Sequence, residues 1–240
     1  MKRLIFLCIF LSLFQISCSN KDELPESLLW INGTHAVLTK ANRGDVNRFG
    51  TVAHNRKNSE MFKTILEDSW GVTTKKELDD MIDSLTVGRH NPVFLEEAEE
   101  YGITEMSREE FEYELRGVND REVAMYFRNM FEACQAFGEN AIMGWDLSRA
   151  TQLCACGYII DFYSYDEAVD KSLAIGKIIQ QHFNSWDDFY ASYLYGYAYW
   201  SEDDLEDPKS DYSQRVKILK ELKANSKSPL NLDWNMSLTR

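Results

Sequence analysis

Apolar residues recur along the chain at intervals of three and four. Leu78, Met81, Ile82 and Leu85 form one set. Val123, Tyr126, Phe127, Met130 and Phe131 form a second, and Ala168, Leu173, Ile175, Ile178 and Ile179 a third. This period puts each set on one face of a helix. Hydroxyl residues with a glutamate three places on stand at the head of helical stretches: Thr74 with Glu77, Ser107 with Glu110, and Ser164 with Glu167. In such a capping box each side chain satisfies a free backbone N–H of the first turn. Ser185 with Asp188 is a close variant. Gly71, Gly88, Gly102 and Gly117 fall where helices would end. Alternation of strand length is missing. Residues 30–33 fit a turn, and Ala36, Val37 and Leu38 a short extended run. The pattern predicts a mainly α protein: a single compact multi-helix domain with little or no sheet.

The stretch from Ser185 to Trp200 departs from simple amphipathicity. Trp186, Phe189, Tyr190, Tyr193, Leu194 and Tyr197 are among residues that cover nearly every face. A helix apolar all round belongs in the middle of a bundle. Its tyrosine hydroxyls need partners, so it also fits the wall of a cavity or a partner surface.

The N-terminus has a different pattern. Lys2 and Arg3 precede an uncharged run from Leu4 to Phe14. That length suits the core of a signal peptide and is too short for a membrane span. Ser17 directly before Cys18 resembles a lipobox, in which the cysteine thiol takes a diacylglycerol; Gln15 stands where the common pattern has leucine. A buried N-terminal helix and a cleaved signal without lipid are the alternatives. The expected organisation is a signal peptide at 1–17, a lipidated flexible tether at 18–27, a helical domain at 28–225 and a C-terminal tail at 226–240. The expected location is the cell envelope, anchored to a lipid bilayer through acylated (palmitate-bearing) Cys18. Ser19 to Glu23 resemble a short acidic export tag, which points to the outer membrane and its outer face.

The chain carries 26 basic and 39 acidic residues, a net charge of −13. Loss of residues 1–17 would leave 24 basic against the same 39 acids, near −15. Such a field repels phosphate backbones, and no basic stripe appears, so nucleic acid is not an expected partner. A protein or peptide partner is compatible with it. Of the cysteines, Cys134, Cys154 and Cys156 remain once Cys8 and Cys18 are assigned to export. An odd number gives no complete disulfide framework; they read as buried thiols, with one bridge from Cys134 to Cys154 or Cys156 left open. His35, His54, His90 and His182 are scattered far from the cysteines. No metal or cofactor is expected from these spacings, and the acidic loop at 201–211 lacks an EF-hand's ligand spacing.

Residues 144–200 resemble the bacterial family called domain of unknown function 1266. The likeness rests on Trp145, Asp146, Leu147, Ser148, Arg149 and Ala150, then Gly157 with Tyr158, Ser164 through Ala168, Ser185 with Trp186, and finally Gly196 and Trp200. An earlier block is similar too: Trp70 to Thr73, Leu78, and Gly88-Arg89-His90. The family-like core covers about residues 60–200. Ala155 and Tyr197 stand where the family pattern has arginines, and Gly88-Arg89-His90 reorders its Gly-His-Arg element. The resemblance implies a helical fold and no particular reaction.

The candidate chemistry centres on one helix start. Asp146 sits in a first turn, where the helix dipole favours a carboxylate, and Arg149 is three residues on, on the same face. Two readings follow: an ion pair that fixes helix packing, or a polar cluster in a pocket with His90 and Ser185, walled by Trp145 and Trp186. Ser185, His90 and Asp146 can be assembled into a nucleophilic triad on paper, but Ser185 is already explained as a cap and no Gly-x-Ser-x-Gly elbow exists. The sequence therefore favours an envelope-anchored module that binds a protein or peptide without catalysis. The alternative is a small hydrolase built on Asp146, Arg149 and His90.

Overall fold

Hydroxyl caps and nearby acids start the helices as their spacing predicts. The structure, a computed structural model, describes residues 24–201 and 203–240. The signal-peptide segment and Cys18 lie outside the described residues. Eleven α-helices follow in order among the described residues: α1 (Glu26–Thr34), α2 (Ala36–Ala41), α3 (Arg56–Trp70), α4 (Lys75–Thr86), α5 (Asn91–Glu100), α6 (Arg108–Leu115), α7 (Arg121–Phe137), α8 (Met143–Ile159), α9 (Tyr165–His182), α10 (Trp186–Ser201) and α11 (Asp211–Ala224). No strand occurs among them. The turn and extended run read at 30–38 belong to α1 and α2, whose residues are buried against the bundle. Ala36 and Leu38 are good helix formers and only Val37 is β-branched, so burial against the bundle settles this short run as helix.

Thr74 and Glu77 form a reciprocal box at α4, as do Ser107 and Glu110 at α6. Ser164 accepts from the Glu167 N–H at 3.1 Å, but the Glu167 carboxylate turns outward to Lys75. Ser185 Oγ accepts from the Asp188 N–H at 3.0 Å and starts α10.

Helix α8 runs through the centre. Only Gln152 and Tyr158 of its 17 residues escape full burial. Its partners α4, α9 and α10 pack around it. Glycine sets the approach of α10. A Cβ at Gly144 would lie 2.6 Å from the Phe189 carbonyl oxygen, and one at Gly196 would lie 2.4 Å from the Trp145 Cβ. The two helices therefore cross nearly backbone to backbone, and the Gly144 N–H donates to Ser192 Oγ at 2.9 Å.

The aromatic helix α10 is central; two of its tyrosines find hydroxyl partners, while the buried Tyr193 hydroxyl has none among the described residues. The Tyr190 hydroxyl donates to the Gly33 carbonyl at 2.5 Å, and Tyr199 donates to Glu97 at 2.8 Å. A second apolar cluster, under α5, α6 and α7, includes Phe111 stacked on Phe131 at 4.1 Å. The C-terminal segment, patternless in sequence, is packed: Leu230, Trp234 and Leu238 are buried. Trp234 meets Trp30 and Trp186 with ring centroids 5.2 and 4.9 Å away. The thiols of Cys134, Cys154 and Cys156 are free; burial raises the last two to about 12. No described helix is long and apolar enough to cross a membrane.

Candidate functional site

Asp146 is fully buried in the first turn of α8, and three groups from residues 90–91 converge on it. The His90 and Asn91 backbone N–H groups donate to Oδ2 at 2.8 and 3.1 Å. These are free donors at the start of α5, so Asp146 caps a helix more than fifty residues away in sequence. The His90 imidazole meets Oδ1 at 2.6 Å through Nδ1. A carboxylate can only accept, so Nδ1 carries the proton and Nε2 is the ring's open position. The Asn91 side chain clamps the same junction, accepting from the Ile142 N–H at 2.8 Å and donating to the Glu139 carbonyl at 2.7 Å.

Arg149 lies one turn along α8 and is 7% exposed. Its Nη2 donates to Asp146 Oδ1 at 3.3 Å. The same Nη2 lies 2.8 Å from His90 Nδ1 and 3.4 Å from Nε2. An atom close to both ring nitrogens is off either lone-pair axis, so the guanidinium lies against the imidazole. Its central carbon is 4.4 Å from the Trp145 ring and 5.1 Å from that of Trp70. Cation–π contact of this kind holds a guanidinium rigidly. Burial pulls Arg149 down to about 10, while the Asp146 charge opposes the shift; Arg149 stays charged at neutral pH. Its Nε–H is buried with no partner among the described residues.

These residues form one end of a cleft of about 720 Å³, bounded by α2, α3, α8, α10 and α11. That volume suits a small organic ligand. Arg89 and Arg215 enter the same wall, and neither makes an ion pair among the described residues. The Arg215 guanidinium carbon sits 3.9 Å above the Tyr197 ring, and its Nε–H is also buried and unpartnered. No Asp or Glu lines the cleft among the described residues. Trp70, Trp145 and Trp200 give this end aromatic walls. Thr51, also in the wall, has φ +64, a left-handed conformation that costs a β-branched residue about 1–3 kcal/mol.

The structure therefore gathers four of the six residues singled out in the sequence: Trp145, Asp146, Arg149 and His90. It places Ser185 and Trp186 elsewhere. Ser185 caps α10, and Trp186 packs on Trp30 and Trp234 while its Nε1–H donates to the Leu232 carbonyl at 3.0 Å. No nucleophile–base pair is formed by Ser185 and His90. The sequence reading missed Arg215, which lies on a helix of weak amphipathic pattern and carries no local signal. Arg89 stands inside the family-like Gly88-Arg89-His90 block, with no local signal for its role.

The family model described as "Protein of unknown function (DUF1266)" matches residues 65–234. That stretch includes every charged residue of the cleft. No curated protein and no solved structure gives a significant match.

Proposed function

The chain belongs to that family, and from this premise we propose that its helical fold is a binding module for an organic anion, held in the cleft above Asp146. One observation carries the reading. In a chain with 39 acidic and 26 basic residues, every formal charge lining the cleft among the described residues is positive. Asp146 already compensates Arg149, but Arg89 and Arg215 bring two further positive charges to the same space, and an anion would join them. The guanidiniums of Arg89 and Arg215 make no ion pair among the described residues, and the aromatic walls supply faces for a planar or apolar ligand body.

Binding is favoured over hydrolysis by what the cleft holds. His90 is the one imidazole in its wall, and the Cys156 thiol there is pushed up to about 12 by burial. A base without a positioned nucleophile or acid orients a ligand more readily than it splits one. The Asp146–His90 pair serves this by presenting the imidazole edge in a fixed tautomer.

Thermal denaturation with matched ligands tests the reading. Benzoate and inorganic phosphate should raise Tm in the wild type and fail to do so in Arg215→Ala. Benzylammonium, matched in shape but not in charge, should have no effect. Equal stabilisation by the cation would overturn the proposal.

The module's anchoring is proposed on sequence grounds alone: Lys2 and Arg3, the apolar run to Phe14, and Ser17 before Cys18. Metabolic labelling with a tagged fatty acid should mark the wild type and leave Cys18→Ala unlabelled. A labelled mutant would refute the lipid.

A further inference from the structure

We infer that the cleft's ligand is an amphiphilic anion with one acyl chain, its head group at the arginine end and its chain laid along α3. This rests on the reading of the cleft as an anion site and specifies the ligand's second half. The two ends of the cleft differ in chemistry. Trp70 closes α3 beside Arg149, so the C-terminal end of α3 is the cationic end. Toward its N-terminus the same helix offers Ile65, Phe62 and Met61 to the cleft. From Trp70 back to Met61 a helix advances about 13 Å. Helix α8 repeats the polarity. Trp145 and Arg149 stand at the cationic end, and Leu153 and Cys156 follow on the same face toward the other. Gly50 fits against Ala155 and Ile159, which puts Val52 beside that apolar end. Trp200 lies 5.8 Å from Trp145 by ring centroids, and Arg215 lies over Tyr197, 5.5 Å from Trp145, so both belong to the cationic end.

The apolar end is open to a ligand. Met61 and Ile65 are 44% and 45% exposed, one helical turn apart. Covering them with methylenes removes apolar surface from water, and methionine adapts to a flexible chain. A span of about 13 Å matches an extended chain of roughly ten methylenes. The cleft, at about 720 Å³, suits one such chain rather than the two of a membrane phospholipid. An acidic peptide fits less well. Its backbone amides would lie mainly against methionine, isoleucine and valine; Thr51 beside Val52 offers one hydroxyl, but no described strand edge is there to pair with them.

The test is a chain-length series followed by tryptophan fluorescence, since Trp70, Trp145 and Trp200 line the cleft. The probes are acetate, hexanoate, octanoate, decanoate, decanol, inorganic phosphate, an acidic leucine-containing hexapeptide and phosphatidylglycerol vesicles. Affinity should rise by up to about fourfold per methylene from hexanoate to decanoate. Decanol should bind much more weakly than decanoate. Ile65→Asn should flatten the increment, and Arg89→Ala should weaken decanoate about tenfold; both positions are exposed and both variants should fold, as circular dichroism would check. Anions binding with no dependence on chain length would overturn the acyl chain and leave the anion site standing. Failure of every anion would remove both. Tighter binding of the peptide or of vesicles than of decanoate would also overturn the inference.

Discussion

His90 donates to Asp146 twice, from its backbone N–H at 2.8 Å and from its imidazole at 2.6 Å. One carboxylate thus fixes both the start of α5 and the ring that faces the cleft. Because the same Asp146 also meets Arg149, the junction is a buried charge network. Removing its only acid leaves a buried guanidinium uncompensated and strands the N–H groups of α5. Asp146→Ala should cost about 3–5 kcal/mol in denaturant unfolding with an unchanged slope. A loss below 1 kcal/mol would show that the network is not what joins α5 to α8.

Gly196 sets how closely α10 approaches Trp145. A methyl there would lie 2.4 Å from the Trp145 Cβ, and the Trp145 ring supports Arg149 at 4.4 Å. Gly196→Ala should destabilise by about 1–3 kcal/mol and shift the tryptophan emission, because Trp145 must move. Helix propensity alone predicts the opposite, a gain of up to about 1 kcal/mol. The sign of the change therefore decides between packing and propensity.

His35 gives the stability a pH dependence. The ring is fully buried, bonded through Nδ1 to Thr39 Oγ1 at 2.9 Å, with Nε2 unpartnered. Burial pulls its pKa down to about 4 from the ordinary 6.5. Between those values the unfolded chain binds a proton that the folded chain refuses, so stability falls as pH drops through this window and is intact above it. The loss approaches about 3 kcal/mol by pH 4. The difference in pH slope between wild type and His35→Gln, measured between pH 4 and 6.5, isolates this group from the carboxylates. Parallel curves would contradict it.

The C-terminal segment is part of the core. Trp234 lies within 5.2 Å of Trp30 and 4.9 Å of Trp186 by ring centroids, and its Nε1–H donates to the Phe183 carbonyl. Gln180 reaches across to the Trp234 and Met236 carbonyls at 2.6 and 3.0 Å. Trp234→Ala should cost about 3–5 kcal/mol. A variant with an unchanged melting temperature would show that residues 226–240 are an appendage.

The fold was legible where local chemistry decides it. Caps at Thr74, Ser107, Ser164 and Ser185 announce helix starts because the bonds they make span three residues. The all-round apolar character of α10 announced its burial. The segment around Trp234 gave no such sign: its buried residues, Leu230, Trp234 and Leu238, are held by distant partners and follow no helical period. The site was legible by half. Trp145, Asp146 and Arg149 share one helix start, so their spacing revealed them, and His90 stood in a recognisable block. Arg215 comes from another helix, and only the crossing of α11 over Tyr197 brings it to the cleft. Ser185 and Trp186 have the same residue types as site residues, yet capping and the tryptophan cluster use them fully.

The central claim is that the arginine end of the cleft binds an anion. Calorimetric titration of decanoate into wild type, Arg89→Ala, Arg215→Ala and the double variant tests it most directly. Each lost charge-assisted contact is worth about 1.5–3 kcal/mol, so each single variant should weaken binding about tenfold or more, and the double variant further still. Folded variants that bind decanoate as tightly as the wild type would contradict the account.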